Sequence, residues 1–167
     1  LKKNFKFHNI QFVKAGNNRQ QSSRNGIIAL KREKPKIVLI HDAARPLASN
    51  TLIKKLIKKI KTFPASSPYI KTNDLIKDTI NKKNFLSKNF IHIQTPQAFS
   101  YKHILKAHQK TNIKNSKDDT ELIDDIGIKI NFIKGEKSNI KITYIDDLKL
   151  FNLLKKKNFK HGIGYDI

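Results

Sequence analysis

The sequence predicts an open α/β sandwich, and three features agree on it. Short apolar runs alternate with segments of helical period along all 167 residues. Residues 36–40 (KIVLI) form a nearly unbroken apolar run. That pattern marks a strand buried on both faces and therefore a parallel sheet. The length suits one domain that buries a core without disulfide or metal staples.

Each element follows from its local pattern. Residues 9–14 read as a short strand ended by Ala15-Gly16-Asn17-Asn18. Residues 19–32 read as a helix with Ile27, Ile28 and Leu30 toward a core, stopped by Pro35. After the KIVLI strand, Asn50 is the candidate N-cap of a second helix. Leu52, Ile53, Leu56, Ile57, Ile60 and Phe63 fall on one face of it and five lysines on the other. Such a helix can lie on a membrane surface, but it is more often an ordinary helix packed on a sheet. Pro64 ends it, and residues 67–71 form a strand. Residues 72–94, rich in Lys and Asn, read as a hairpin arm leaving the core. Residues 100–110 and 118–126 look helical, with Gly127 suited to the left-handed position after the second. Residues 129–133 and 140–144 read as strands, and 146–157 as a last helix capped by Asp146.

Composition excludes several classes. There is no Cys, which removes disulfides and thiolate zinc sites. No apolar run approaches the roughly 20 residues of a membrane span, and no leader pattern opens the chain, so a cytoplasmic location is expected. The formal charge of +22 suggests anionic partners. However, 31 of the 35 cations are Lys and 4 are Arg, alongside 25 Ile and 16 Asn. All three abundant types have A/T-rich codons, so genome composition accounts for much of the basicity. Arg, the usual residue for bidentate phosphate or base recognition, is scarce. A basic nucleic-acid-binding module stays as the non-enzyme alternative, tested by salt-dependent DNA binding. His103 and His108 lie five apart on different helix faces, and no zincin or nucleophile-elbow pattern occurs.

Three loops are placed for chemistry, since ligands of open α/β sheets sit at the carboxyl ends of strands. The first is His41-Asp42-Ala43-Ala44-Arg45-Pro46. Asp42 at the strand tip can hold a hard cation such as Mg²⁺. Arg45 can clamp a phosphate, and the two alanines leave room beside the backbone. On chemistry alone, Asp42 capping a turn and Arg45 pairing with it explain the residues equally well. The second loop is Gly16-Asn17-Asn18-Arg19-Gln20-Gln21-Ser22, a strand-to-helix turn whose N–H groups can meet an anion or a base edge. The third spans 135–143 (GEKSNIKIT), where Lys141, on a short strand beside the sheet, can reach a phosphate.

Taken in order, these loops resemble one family. Ala15-Gly16-Asn17-Asn18-Arg19 through Ile27, the string IHDAARPL at 40–47, QTPQAF at 94–99 and NIKIT at 139–143 followed by Asp147-Leu148 are similar to 2-C-methyl-D-erythritol 4-phosphate cytidylyltransferases over about residues 9–155. The resemblance implies a Rossmann-like nucleotidyltransferase, a three-layer sandwich with a protruding β-arm. It implies transfer of CMP from CTP to 2-C-methyl-D-erythritol 4-phosphate, with release of pyrophosphate, in non-mevalonate isoprenoid synthesis. Another sugar- or polyol-phosphate nucleotidyltransferase is the runner-up among enzymes. Carried over residue by residue, Gly16, Asn17 and Ser22 would hold the cytidine side of CTP. Asp42 would bind Mg²⁺, with Ala43 beside the nucleotide. Arg45 would grip the acceptor phosphate, Thr95 would line that pocket, and Lys141 would stabilise the transferring phosphate. The arm at 72–94 would make a homodimer. The departures are Asn17 for the family's usual Asp, Leu75 for its Thr after the arm's Asp, and Ser87 for its Arg, with Lys88 adjacent. Asp-Asp-Thr-Glu at 118–121 matches an acidic family segment only loosely.

No counterpart of the family's opening Gly-rich triphosphate loop is present, and there is no Met. The expectation is a cytidylyltransferase domain over 1–157 whose first strand–helix units lie upstream, and which is inactive or nearly so alone. The stretch 160–167 (KHGIGYDI) resembles the opening of 2-C-methyl-D-erythritol 2,4-cyclodiphosphate synthase, a lyase found fused to this family. Residues 158–167 would then be a linker and the start of that second domain. Asp166 would be the first ligand of its zinc, and no zinc would bind to this chain.

Overall fold

The computed structural model describes residues 10–156. Its elements, in chain order, are α1 (Arg19–Ala29), β1 (Ile37–Ile40), α2 (Asn50–Ile60), β2 (Ala65–Lys71), β3 (Ile76–Asp78), β4 (Lys83–Phe85), β5 (Ile91–Ile93), β6 (Gln97–Ser100), α3 (Tyr101–Lys110), α4 (Asp119–Asp125), β7 (Ile130–Lys134) and α5 (Ile145–Lys156). The main sheet runs β1-β6-β2-β5, with β7 on the other side of β2. None of the described helices is long and apolar enough to cross a membrane.

Strand alternation sorts side chains onto the two faces of this sheet. Phe99, Ala65 and Ile130 meet Ile27 of α1, Ile104 and Ala107 of α3, and Leu122 and Ile123 of α4. On the opposite face Ala98 meets Leu52 and Leu56 of α2, with Ile60 and Ile133 beside them. Helices therefore cover both faces, and the expected three-layer sandwich is present. The amphipathic α2 packs on the sheet, with Leu52 and Leu56 buried. The arm is also present: β3 and β4 form a separate antiparallel hairpin, Ile76 opposite Phe85.

Several local expectations are corrected. The β1 strand is not buried on both faces, nor is it parallel to its partner. It pairs antiparallel with β6, Val38 opposite Phe99, and Leu39 is 37% exposed. Among the described residues the parallel pair is β2 with β7. Of the expected strand at 9–14, residue 9 lies outside the described residues and residues 10–14 form no strand, with Ile10, Phe12 and Val13 exposed. Residues 140–144 likewise form no strand. The Ile142 N–H instead donates to the Ala44 carbonyl at 2.8 Å, tying that segment to a loop. Ile28 is exposed, because helix α1 turns Ile27 inward. The cap of α2 is Ser49, whose hydroxyl accepts the Leu52 N–H; Asn50 lies within the helix. Asp146 does not cap α5, since it and Asp147 both lie within the first turn; Asp147 Oδ2 instead reaches back to accept the N–H groups of Thr143 and Tyr144 at 2.7 and 2.8 Å. Gly127 has the expected positive φ of 71°.

Candidate active site

The loop after β1 carries Asp42, and its Oδ2 lies 3.5 Å from Arg45 Nε and 3.4 Å from Lys141 Nζ. Three groups far apart in sequence thus share one spot at the strand tip. The Lys141 side chain is 51% exposed, so its pair with Asp42 contributes only about 0–1 kcal/mol, whereas the Arg45 side chain is largely buried. Further bonds set the geometry. Arg45 Nη1 donates to the Asn139 carbonyl at 3.0 Å, and Nη2 to that of Ile93 at 3.5 Å. The Arg45 N–H closes the turn on the Asp42 carbonyl at 3.0 Å. Arg45 thus both pairs with Asp42, as the simple turn reading expects, and fastens the Lys141 segment beside it.

The remaining supports are the buried Gln94, Thr95 and Asn139 together with the more exposed His41. Thr95 Oγ1 accepts the Asp42 N–H at 2.9 Å and bonds His41 Nδ1 at 3.0 Å, while His41 Nε2 bonds the Arg45 carbonyl at 3.0 Å. Burial lowers the His41 pKa, aided by the Arg45 charge and opposed by its bond to the Arg45 carbonyl and by Asp42. Asn139, fully buried, donates from Nδ2 to the Thr95 carbonyl at 2.8 Å. Gln94 donates from Nε2 to the Glu136 and Asn139 carbonyls at 2.8 and 3.1 Å and accepts the Glu136 N–H at 3.1 Å. The Thr95–Pro96 peptide bond is cis. Thr95, expected to line a pocket, is buried and holds the Asp42 loop from beneath. Ala43 is exposed at the turn. His41, Gln94, Glu136 and Asn139 were given no role in the sequence reading, although all four stand inside the strings it singled out, IHDAARPL, QTPQAF and GEKSNIKIT.

The turn before α1 forms a second group. Gly16 N–H donates to Ser22 Oγ at 2.9 Å, and Asn17 N–H to Gln21 Oε1 at 2.9 Å. A Cβ on Gly16 would stand 2.3 Å from Gln21 Cβ and 2.7 Å from the Ser22 nitrogen, so only glycine fits. Ser22 serves the turn's own geometry, while Asn17 is exposed. Ser22 and His41 line one cleft of about 300 Å³ with Gln11, Ile27, Val38 and Leu39. That cleft runs between the α1 residues Ser22 and Ile27 and the β1 strand that leads to Asp42.

Asp42 can take a cation. Among the described residues, no cluster of three or more His, Cys, Asp or Glu side chains is arranged to hold a metal ion. A lone carboxylate is a poor zinc site but suits Mg²⁺, which takes one or two carboxylates together with substrate phosphates. Asp166 lies outside the described residues.

Comparison with known proteins follows the same lines. The family described as IspD, 2-C-methyl-D-erythritol 4-phosphate cytidylyltransferase, matches residues 2–156. The chain is 39% identical over 167 residues to the bifunctional enzyme IspD/IspF of Pelagibacter ubique, covering 99% of this chain and 43% of that protein. It is 36% identical over 150 residues to the 2-C-methyl-D-erythritol 4-phosphate cytidylyltransferase of Thermotoga neapolitana, covering 89% of this chain and 67% of that one. The crystal structure of the 4-diphosphocytidyl-2C-methyl-D-erythritol synthase of Anaerococcus prevotii superposes with a TM-score of 0.78 at 31% identity, over 89% of this chain and 68% of that one. The chain spans less than half the length of the bifunctional relatives it matches.

Proposed function

The chain belongs to the 2-C-methyl-D-erythritol 4-phosphate cytidylyltransferase family, and from that premise we propose that its loops bind CTP and 2-C-methyl-D-erythritol 4-phosphate for cytidylyl transfer. The observation carrying this reading is the meeting of Asp42, Arg45 and Lys141 at one strand tip. In the reaction the acceptor's phosphate oxygen attacks the α-phosphorus of CTP, a new P–O bond forms, and pyrophosphate leaves.

Each residue has a task that fits its surroundings. A Mg²⁺ at Asp42, shared with the triphosphate, would supply charge neutralisation. The Lys141 ammonium stabilises negative charge building on the transferring phosphate. Arg45 holds the backbone from which Lys141 projects, and adds positive charge beside the acceptor. Thr95, Asn139 and Gln94 keep these loops still, so that little reorganisation accompanies the reaction. Gly16 and Asn17 face the cytidine, with Ser22 keeping their turn closed. The β3–β4 arm, with Leu75, Ile80 and Leu86 exposed, is proposed to seat a second copy of the chain.

Calorimetric titration with CTP and UTP in the presence of MgCl₂ tests the reading. CTP binds more tightly than UTP, and Lys141→Ala weakens CTP binding about tenfold, the size expected for one charged contact. Equal affinity for the two nucleotides, unmoved by that substitution, would contradict it.

A further inference from the structure

A buried cluster that takes no part in the chemistry above lies behind the Gly16–Asn18 turn. Asp119, the first residue of α4, is fully buried. Its Oδ2 accepts from Arg19 Nη2 at 2.5 Å, and its Oδ1 from Ser23 Oγ at 3.0 Å, with His108 Nε2 at 2.9 Å from the same oxygen. Arg19 and Ser23 lie on the first turns of α1, directly after the Gly16–Asn18 turn. His108 comes from α3. Between Arg19 and Ser23, Gln20 donates to the Ile113 carbonyl at 2.7 Å and accepts the Ser116 N–H at 2.8 Å. Asn18 reaches the Lys114 carbonyl at 3.4 Å.

A buried carboxylate is costly unless its lone pairs are met by charged donors. Asp119 is met by a guanidinium and a hydroxyl from α1, and by an imidazole from α3. Removing its charge would leave Arg19 without its partner, and the start of α1 is where that loss would fall. That start carries the acceptors of the turn: Ser22 Oγ for Gly16 N–H and Gln21 Oε1 for Asn17 N–H. The orientation of the turn thus depends on how the first turn of α1 is seated.

We propose that Asp119, braced by His108, is a positioning residue that sets the Gly16–Asn18 turn through Arg19 and Ser23. As a nucleotide-specificity device it rests on the function proposed above, because that reading places cytidine at this turn.

Two measurements on the full chain separate the claims. The first is residue-resolved amide exchange in Asp119→Asn. Exchange at Gly16, Asn17 and Gln21 accelerates about tenfold or more, as expected for loss of a charged hydrogen bond, while residues 97–100 of β6 keep their protection. Ser23→Ala, which removes one donor and keeps the charge pair, gives the same pattern at smaller size and serves if Asp119→Asn does not fold. The second is the ratio of CTP to UTP affinity, which falls toward one in Asp119→Asn and is retained in Arg19→Lys. Exchange that rises evenly through the molecule, or a turn that does not respond, would overturn the proposal. If the unmodified chain makes no distinction between CTP and UTP, the nucleotide reading fails, and the exchange experiment still decides whether Asp119 sets the turn.

Discussion

At the scale of single residues, the chain uses carboxylates in two different ways. Asp42 is accessible, and its partners are loosely spaced at 3.4 and 3.5 Å. Asp119 is buried among tightly spaced donors. Burial alone would raise the Asp119 pKa, but the His108 hydrogen bond and the Arg19 charge together outweigh it and hold the carboxyl below its usual range. A carboxylate depressed in the folded state contributes stability that is present above its unfolded value, about pH 4. That stability is lost as pH falls through the lower folded value. Acid titration of chemical-denaturation midpoints should therefore show a steeper fall below about pH 4 for the native chain than for Asp119→Asn. Parallel curves would mean that the Asp119 network contributes nothing to acid stability. None of this was legible beforehand. Asp-Asp-Thr-Glu at 118–121 offered only a loose match to an acidic family segment, and a burial that depends on Arg19, 100 positions away, leaves no local mark.

Among the elements, the 135–141 loop decides whether the site exists. A Cβ on Gly135 would stand 2.3 Å from Gln94 Oε1 and 3.0 Å from the Tyr69 carbonyl. A free glutamine tip would swing away, but Gln94 is pinned by three hydrogen bonds to the same loop. Gly135→Ala is expected to cost about 1–3 kcal/mol, the range for overpacking. A domain of this size would then melt roughly 2–4 °C lower per kcal/mol. The same substitution should reduce CTP affinity by displacing Lys141. A melting temperature and affinity equal to those of the native chain would show that Gln94 is not fixed. Helices α1, α2, α3 and α4 were readable because helical patterning is local, although the cap of α2 proved to be Ser49 and not Asn50. The described residues 10–14 and 140–144 form no strand, because strand formation depends on pairing as well as on a suitable sequence. Residues 140–144 spend a backbone donor, the Ile142 N–H, on the Ala44 carbonyl instead. The direction of β1 was misjudged for a related reason: an apolar run reports burial and says nothing about the polarity of its partner.

For the whole molecule, the order of loops carried more information than the charge. The +22 surplus suggested only anionic partners in general, whereas two of the loops singled out as candidates bring Asp42, Arg45 and Lys141 together. The supports beneath them, His41, Gln94 and Asn139, act through backbone carbonyls and so need coordinates to be seen. The hairpin arm was legible as an excursion. It leaves Ile80 88% exposed, with Leu75 and Leu86 also open, an arrangement suited to a partner surface. Sedimentation velocity should register a dimer for the native chain and a monomer when Leu75 and Leu86 are both changed to Lys. A native chain that sediments as a monomer would remove the arm's proposed role.

The most direct measurement is a map of backbone amide shifts on titrating the chain with CTP and MgCl₂. Saturable changes confined to residues 16–18, 42–45 and 139–143 are predicted. Changes spread over the lysine face of α2, growing with nucleotide without saturating and leaving those three loops untouched, would contradict the placement of the site.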